Sequence, residues 1–203
     1  MIKALTVCVN PGDDVQVTSM PALRHFTFNS TLWAIETITN SAPGLTHVTY
    51  ANTGDGQMGS REALRTFGPQ VRRFTLEECH FQGDPEDQEA YHEAFGFCTE
   101  LAVFEIGLEV HDGSYCTDPQ TTLDFRVLRL LAPAVKLEAL RLSLTLTRMP
   151  TSGSLLDLLD APACLELRQL EIVHTSELEL PLPVSLVSLC FERGISLRWE
   201  LDW

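Results

Sequence analysis

The sequence has few basic residues and no long apolar run. It carries 14 lysines and arginines against 28 acids, which gives a formal net charge of −14. A chain this acidic repels phosphate backbones and anionic lipids, which argues against binding to nucleic acid or to a membrane surface. No uninterrupted apolar stretch approaches the roughly 20 residues that a membrane-spanning helix needs. The sequence therefore predicts neither a nucleic-acid partner nor a membrane partner.

The sequence also lacks a secretory leader and closely spaced cysteines. Its first segment, MIKALTVCVNPGDD, has one lysine and only a short apolar run before a turn, which is not the pattern of a leader. Six cysteines are scattered along the chain and none forms C-x-x-C. Reduced thiols are the expected state of such a chain. We therefore expect a cytoplasmic or nuclear protein.

Catalytic and metal-binding motifs are missing as well. There is no G-x-S-x-G, no H-E-x-x-H and no Walker lysine in a glycine loop. Metal-capable residues occur in the middle of the chain, but their spacing lacks the tight pairs of a zinc site. These residues are Cys79, His80, Cys98, His111 and Cys116. The sequence predicts a protein that is not an enzyme and that holds no cofactor and no metal.

One stretch has the outline of a dinucleotide-binding loop. Gly54, Gly56 and Gly59 spell G-x-G-x-x-G after the apolar run LTHVTY, and the acids Glu77 and Glu78 close the next apolar run. In a dinucleotide loop the first glycine follows the strand almost directly, whereas three residues intervene here. We favour a flexible turn between a strand and its helix. An enzyme that uses this loop to bind a nucleotide cofactor is the remote alternative.

A spacing of apolar residues at i, i+3 and i+5 recurs eight times along the chain. Each copy supplies one strand and one return segment, and stacking the copies would bury the three apolar positions in a continuous core. We predict a single α/β domain over residues 1–203, a curved solenoid with a parallel sheet on its concave side and short helices on its convex side. The copies begin at Ile2, Leu23, Leu45, Val71, Leu101, Leu137, Leu167 and Leu186.

A doubly wound sheet is the second fold that fits alternating strands and helices. Such a sheet is covered on both faces, so its strands are near-continuous apolar runs. In this chain polar residues interrupt the strands: His47 and Thr49 lie within LTHVTY, and Arg73 and Thr75 lie within VRRFTL. The alternation favours a sheet with one face open to water.

The return segments carry helix signals of two kinds, a proline after an acid or a polar residue that can cap a helix. Predicted helices begin at Ser30 or Thr31, Ser60, Asp84–Pro85, Asp118–Pro119 and Ser154. For the acidic insertions 81–93 and 109–120 we favour convex-side helices over an acidic binding rim. In the last repeat, prolines 181 and 183 are taken to exclude a helix.

The two ends of the predicted stack differ. SLRWELDW alternates polar and apolar residues and is predicted to form a final strand that caps the stack. No capping helix precedes Ile2, so we expect the first core face to be bare. That would suit a fragment of a longer protein or a chain whose partner covers this edge.

The residues at i+2, i+4 and i+6 should project from the concave side of the sheet, because side chains alternate along a strand. This places two histidines and an arginine in one row and threonines in the next; Cys190 takes the threonine position in the eighth copy. The simplest interpretation of this surface is an ordinary solvated sheet face, and the functional alternative is a recognition patch for a protein or peptide. A metal site is disfavoured, because two histidines are too few ligands and the arginine would repel a cation. The candidate residues are His25, Thr27, His47, Thr49, Arg73, Thr75, Glu77, Glu105 and Arg141.

The repeat resembles the leucine-rich repeat, L-x-x-L-x-L-x-x-N/C. Asn10 and Cys79 take its final N/C position, and threonine takes that position in most other copies. The irregular repeat lengths and strings such as MPALRHFTFNS, APGLTHVTY and LEALRLSL are similar to the leucine-rich half of fungal F-box-type proteins.

That resemblance implies a ribonuclease-inhibitor-like horseshoe that captures a substrate protein for a ubiquitin ligase. The F-box itself is absent from the sequence, so a ligase adaptor is expected as a partner only if an F-box lies upstream. The implied function is a non-enzymatic scaffold for protein recognition. The alternative is an extracellular or effector-type leucine-rich recognition protein.

Overall fold

A computed structural model describes residues 3–7, 19–28, 42–51, 58–79, 85–109, 131, 135–145, 156, 159–175 and 183–201. Eight strands lie in these residues: β1 (Ala4–Val7), β2 (His25–Phe28), β3 (His47–Ala51), β4 (Arg73–Cys79), β5 (Val103–Glu109), β6 (Ala139–Thr145), β7 (Gln169–Thr175) and β8 (Ser196–Leu201). The helices among these residues include α1 (Met58–Phe67), α2 (Pro85–Phe95) and α3 (Val184–Arg193), with a short 3-10 helix at Pro162–Cys164.

All eight strands belong to one parallel sheet, and their order in the sheet is their order in the chain. The architecture is therefore α/β, as predicted, and the strand order is compatible with a solenoid that adds each repeat beside the one before. A doubly wound sheet binds its ligand where the strand order reverses. The order of these eight described strands contains no such reversal.

The predicted repeat sets the register of the sheet. The i+3 residues of neighbouring copies pair directly, for example Phe26 with Val48 and Val48 with Phe74. The same alignment continues from β1 through β7, so the first seven predicted strands and their register are confirmed. The regular spacing of the apolar residues therefore determines which residues meet across the sheet.

One face of the sheet is covered by the helices and holds the core. Phe67 of α1 lies 6.1 Å from Phe26, centroid to centroid, and Phe95 of α2 makes an edge contact with Phe104 at 5.3 Å. The i+3 and i+5 residues of β2 to β7 are almost entirely buried on this covered face. The opposite face carries the i+2 and i+4 residues, most of them half-buried or exposed, and is called the open face below.

The predicted helix starts are confirmed in part. α2 begins at Pro85, as the Asp–Pro pair predicts, and buries Tyr91 and Phe95, which confirms a helix rather than a binding rim for this part of the 81–93 insertion. α1 begins at Met58, two residues before Ser60. The starts at Ser30 or Thr31, Asp118–Pro119 and Ser154, and most of the 109–120 insertion, lie outside the described residues.

The glycine stretch needs a correction. Gly59 is the second residue of α1 and does not belong to the turn that was predicted to contain it. Gly54 and Gly56 lie outside the described residues, as do Ile2 and Asn10. The part of the stretch that is described therefore belongs to a helix of the return segment.

The eighth predicted strand is wrong, because residues 184–193 form the helix α3. Pro183 does not prevent this helix: it precedes the first turn, where a backbone N–H has no partner within the helix, and its φ of −62° suits a helix start. The helix ends at Gly194, whose φ of 69° is left-handed and whose N–H donates to the carbonyls of Cys190 and Phe191.

The error has a physical source, since a spacing of i and i+3 fits a helix as well as a repeat strand. Leu186 and Cys190, one helical turn apart, are buried, whereas Phe191 is 86% exposed although it was expected in the core. Cys190 is therefore absent from the open face. The strand of this repeat is β8, which confirms the predicted final strand and places Ser196 and Arg198 in the eighth position of the two open-face rows.

Among the described residues, none of the helices combines the length and the apolar character that crossing a membrane would require.

Candidate partner-binding face

The register brings most of the predicted site residues together on the open face. His25, His47 and Arg73 pair in sequence across β2, β3 and β4. Beside them, Thr27, Thr49, Thr75 and Glu105 pair across β2 to β5. Both predicted rows are confirmed as neighbours. We call the set His25, Thr27, His47, Thr49, Arg73, Thr75 and Glu105 the His–Thr patch.

The two histidine rings are stacked, with centroids 3.8 Å apart and planes inclined by 4°. Protonating both rings would place two positive charges face to face, with Arg73 alongside. Burial, His25 and Arg73 together lower the pKa of His47 to about 4. Burial and Arg73 also lower the pKa of His25, against the opposing effect of Glu105 and Glu77. Both imidazoles are therefore neutral at pH 7.

Threonine hydroxyls connect the stacked rings. Nε2 of His25 lies 3.0 Å from Oγ1 of Thr49 and 3.2 Å from Oγ1 of Thr27. Nε2 of His47 lies 3.3 Å from Oγ1 of Thr75 and 3.5 Å from Oγ1 of Thr49. Each ring thus lies between a threonine of its own strand and one of the next. Thr49, in contact with both rings, is only 5% exposed.

Glu105 sets the direction of this network. The Thr75 hydroxyl donates to Oε2 of Glu105 at 3.2 Å, because an ionised carboxylate can only accept. Thr75 then accepts from His47, so Nε2 of His47 carries the proton and Nδ1 carries the lone pair. The second carboxylate oxygen, Oε1, lies 3.7 Å from Nε of Arg73. The His–Thr patch is therefore continuous across four strands.

Two of the predicted site residues lie outside the His–Thr patch. Glu77 is exposed near the end of β4, where it pairs in register with Ala51. Arg141 pairs in register with Glu105, but its Nε lies 3.7 Å from Oε1 of Glu171. Arg141 therefore belongs to a different cluster on the same face.

That cluster is a set of ion pairs, which we call the ion-pair cluster: Arg141, Glu171, Arg198 and Glu200. Glu171 lies between Arg141 and Arg198, whose Nη1 is 3.6 Å from the same carboxylate oxygen. Arg198 also contacts Glu200, with Nε donating to Oε1 at 2.7 Å. Sequence reasoning missed Arg198 and Glu200 because it placed Cys190 in the eighth row. Leu197 and Trp199, spaced as the i+3 and i+5 residues of the other copies, were the signal that would have found them.

The open face carries mainly groups that form hydrogen bonds. Within the described part of the chain, no three His, Cys, Asp or Glu side chains are grouped so that they could hold a metal ion. The His–Thr patch offers neutral donors and acceptors and one guanidinium that is 48% exposed.

Three of the cysteines lie in the core and not on the open face. Cys98, Cys164 and Cys190 are free thiols buried in the core. Burial raises the pKa of Cys98 to about 12 and that of Cys164 to about 11. These thiols are therefore protonated at neutral pH and are poor nucleophiles.

No protein-family model matches the chain, and neither the curated proteins nor the solved structures give a match.

Proposed function

We propose that this chain is a leucine-rich repeat horseshoe that recognises a protein or peptide partner through the His–Thr patch. Support for the repeat class comes from the sequence pattern and from the sheet together. Each repeat contributes one strand, the strands follow chain order, and the apolar positions align in register. Proteins of this kind use their extended sheet surface for binding.

The observation that carries the proposal is the connected His–Thr patch on an otherwise acidic chain. Acids outnumber lysines and arginines two to one in the sequence, yet the i+2 and i+4 positions of β2, β3 and β4 hold only His, Arg and Thr. An ordinary solvated face of this protein would be expected to carry carboxylates there. The patch is a local exception to the charge of the chain.

The patch is also ordered before any partner binds. Stacking fixes the two imidazole rings against each other, and threonine hydroxyls hold their Nε2 atoms. Side chains that are already immobile lose little conformational entropy on binding, so more of the interaction energy appears as affinity. The partner we expect is an extended segment or loop that presents backbone polar groups to the histidines and a carboxylate to Arg73.

The experiment compares three forms of the protein in pull-downs identified by mass spectrometry. The test variant replaces His25, His47 and Arg73 by alanine. The control variant replaces Ser143, Gln169 and Ser196 by alanine; these residues are exposed on the open face at β6 to β8. Partners that the control retains and the test variant loses support the proposal. If every partner that binds the wild type binds the test variant equally well, the patch is not the binding surface.

The resemblance to F-box-type proteins supports a finer proposal, in which the chain is the substrate-binding part of a ubiquitin-ligase receptor in the cytoplasm or nucleus. Its test is separate from that of the patch. If an F-box lies upstream, protein that includes it should recover ligase adaptors, and the triple alanine substitution should leave this recovery unchanged, because the adaptor binds the F-box. If that protein recovers no ligase adaptor, the ubiquitin-ligase proposal is wrong, whereas the proposal of a recognition surface is unaffected.

A further inference from the structure

The turns that lead into β2, β3 and β4 are uncharged apart from two arginines. Acids outnumber lysines and arginines two to one in the sequence, yet none occurs in the described residues of these three turns. Arg24 and Arg72 supply the positive charges, and both are exposed. This edge of the sheet is therefore basic on a chain whose net charge is −14. The three turns are residues 19–24, 42–46 and 68–72.

The two arginines lie on either side of Thr46. The Thr46 N–H donates to the Arg24 carbonyl at 3.0 Å, and the Arg72 N–H donates to the Thr46 carbonyl at 3.0 Å. These bonds extend the register of the sheet into the turns, so the three residues are direct neighbours. An exposed proline lies two residues before the first apolar position in each turn. We call the exposed residues Pro21, Arg24, Pro43, Thr46, Pro69 and Arg72 the turn edge.

The guanidinium of Arg24 is held in place by the backbone. Its Nη1 donates to the carbonyls of Pro21 and Leu23, each at 3.1 Å. It lies over Gly44 of the next turn, so closely that a Cβ at position 44 would collide with Nη1. Its Nε and Nη2 have no acceptor among the described residues. These two N–H groups form one side of the planar guanidinium, to which a carboxylate can bind with both oxygens.

Neither arginine of the turn edge has an ion-pair partner among the residues that the structure describes. The same edge is different in the later repeats, where Nζ of Lys136 lies 2.9 Å from Oε1 of Glu166. Arg73 on the open face likewise lies beside Glu105. The positive charges of the turn edge therefore lack the acid that accompanies these other basic residues.

The chemistry of the turn edge favours a polypeptide as its ligand. Two arginines are too few to hold a nucleic acid on a chain this acidic, since DNA-binding proteins engage about six to ten phosphates. We propose that the turn edge binds an acidic segment of a second protein, with one carboxylate on the free side of the Arg24 guanidinium and another beside Arg72. The prolines provide apolar surface for the rest of the segment. This surface is separate from the proposed function of the His–Thr patch, because the two share no residue.

The test measures the binding of fluorescein-labelled oligoglutamate by fluorescence anisotropy, with oligoglutamine of the same length as the neutral control. A chain of charge −14 repels such a peptide at long range, so binding requires a local basic surface. The wild type should bind oligoglutamate and not oligoglutamine. The affinity should fall as salt rises, because screening weakens contacts between exposed charges.

Replacing both arginines should give the largest effect. Arg24→Ala combined with Arg72→Ala should raise the dissociation constant for oligoglutamate by about tenfold or more, through lost hydrogen bonds between charged groups. The control variant replaces Lys136 and Arg168 by alanine, which removes the same charge where β6 and β7 begin. Arg168 follows Glu138 in the register, so this part of the edge is not basic. The control should change the dissociation constant by less than about twofold at physiological salt.

Gly44→Ala tests whether the Arg24 guanidinium must be held in place. Gly44 has no positive φ, so alanine suits the backbone, and its methyl group displaces only the flexible end of the arginine. The variant keeps every charge but moves the guanidinium off the carbonyls of Pro21 and Leu23. It should raise the dissociation constant by about two- to tenfold, because the side chain must then be ordered on binding. Thermal unfolding of every variant shows that it is folded.

A wild type that binds oligoglutamate no better than oligoglutamine overturns the proposal. So does a control variant that loses as much affinity as the double arginine variant, since general charge would then explain the binding. Gly44→Ala that binds as tightly as the wild type overturns the role of the held guanidinium. A phosphoserine peptide that binds more tightly than oligoglutamate, with the same dependence on Arg24 and Arg72, overturns the carboxylate as the preferred group.

Discussion

The two ends of the open face are held together by different chemistry. Across β2 to β5, neutral histidines and threonines form hydrogen bonds that end at a single carboxylate, Glu105. Across β6 to β8, full charges alternate and satisfy one another, with Glu171 between Arg141 and Arg198. The backbone and the register are the same in both regions. The difference teaches that one scaffold can present either neutral hydrogen-bonding groups or charged groups that pair with one another.

The largest expected effect on stability comes from a substitution in the core beneath the sheet that both regions share. Phe104 lies on β5, the strand of the first region that pairs with β6 of the second, and is 1% exposed and in edge contact with Phe95. Phe104→Ala should reduce the free energy of unfolding by about 3–5 kcal/mol, through lost burial and the cavity left behind. Denaturant unfolding followed by fluorescence and by circular dichroism should show one coincident transition. Two separated transitions would mean that the regions fold as independent units.

Acid should affect the two regions unequally. The pKa of His47 is about 4 in the folded protein against 6.5 for an ordinary histidine, so the folded state binds fewer protons. The contribution of His47 to the free energy of unfolding is therefore complete above pH 6.5 and is lost as the pH falls towards 4. Proton NMR should give a His47 midpoint near 4.

The variant His47→Gln serves as the control for this pH dependence. The fall in melting temperature between pH 6.5 and pH 4 should be smaller in His47→Gln than in the wild type. The fall in melting temperature that remains in His47→Gln is expected to come from His25, whose pKa is also lowered. A His47 midpoint near 6.5 would contradict the stacked, partly buried arrangement.

The smallest effect is expected in the ion-pair cluster. Arg141→Ala removes one of the two arginines beside Glu171, and because Arg141 is nearly half exposed the loss should be only about 0.2–1 kcal/mol. The loss should shrink in 1 M salt, since screening weakens exposed ion pairs. Melting curves of the wild type and of Arg141→Ala at low and high salt measure this loss of stability. A loss that is independent of salt would point to packing by the arginine side chain instead.

Sequence reasoning predicted the parts of the fold that follow from simple periodicity. The i, i+3, i+5 spacing identified seven strands and their register, and the alternation along each strand identified the open-face rows. It failed at the last repeat because Leu186 and Leu189 satisfy a helical spacing equally well, and only packing against the preceding repeat decides between them.

The candidate site was predictable as a set of neighbours but not as a network. Side-chain alternation is enough to place His25 beside His47. It does not determine that their rings stack, that Thr49 is buried between them, or that Glu105 and not Glu77 accepts from Thr75. Those features depend on side-chain rotamers and on competition among partners. The division of Arg141 from the patch likewise depends on Glu171, which lies one strand further along.

The agreement between strand order and chain order has a consequence for how the protein folds. Each of the eight described strands pairs with the next one in the sequence, so no pairing among them requires closing a loop longer than a single repeat. Loop-closure entropy grows only slowly with length, which makes each such step nearly as easy as the others. Assembly can therefore start at any adjacent pair and spread in both directions. The conformational search for this sheet reduces to a series of short, local steps.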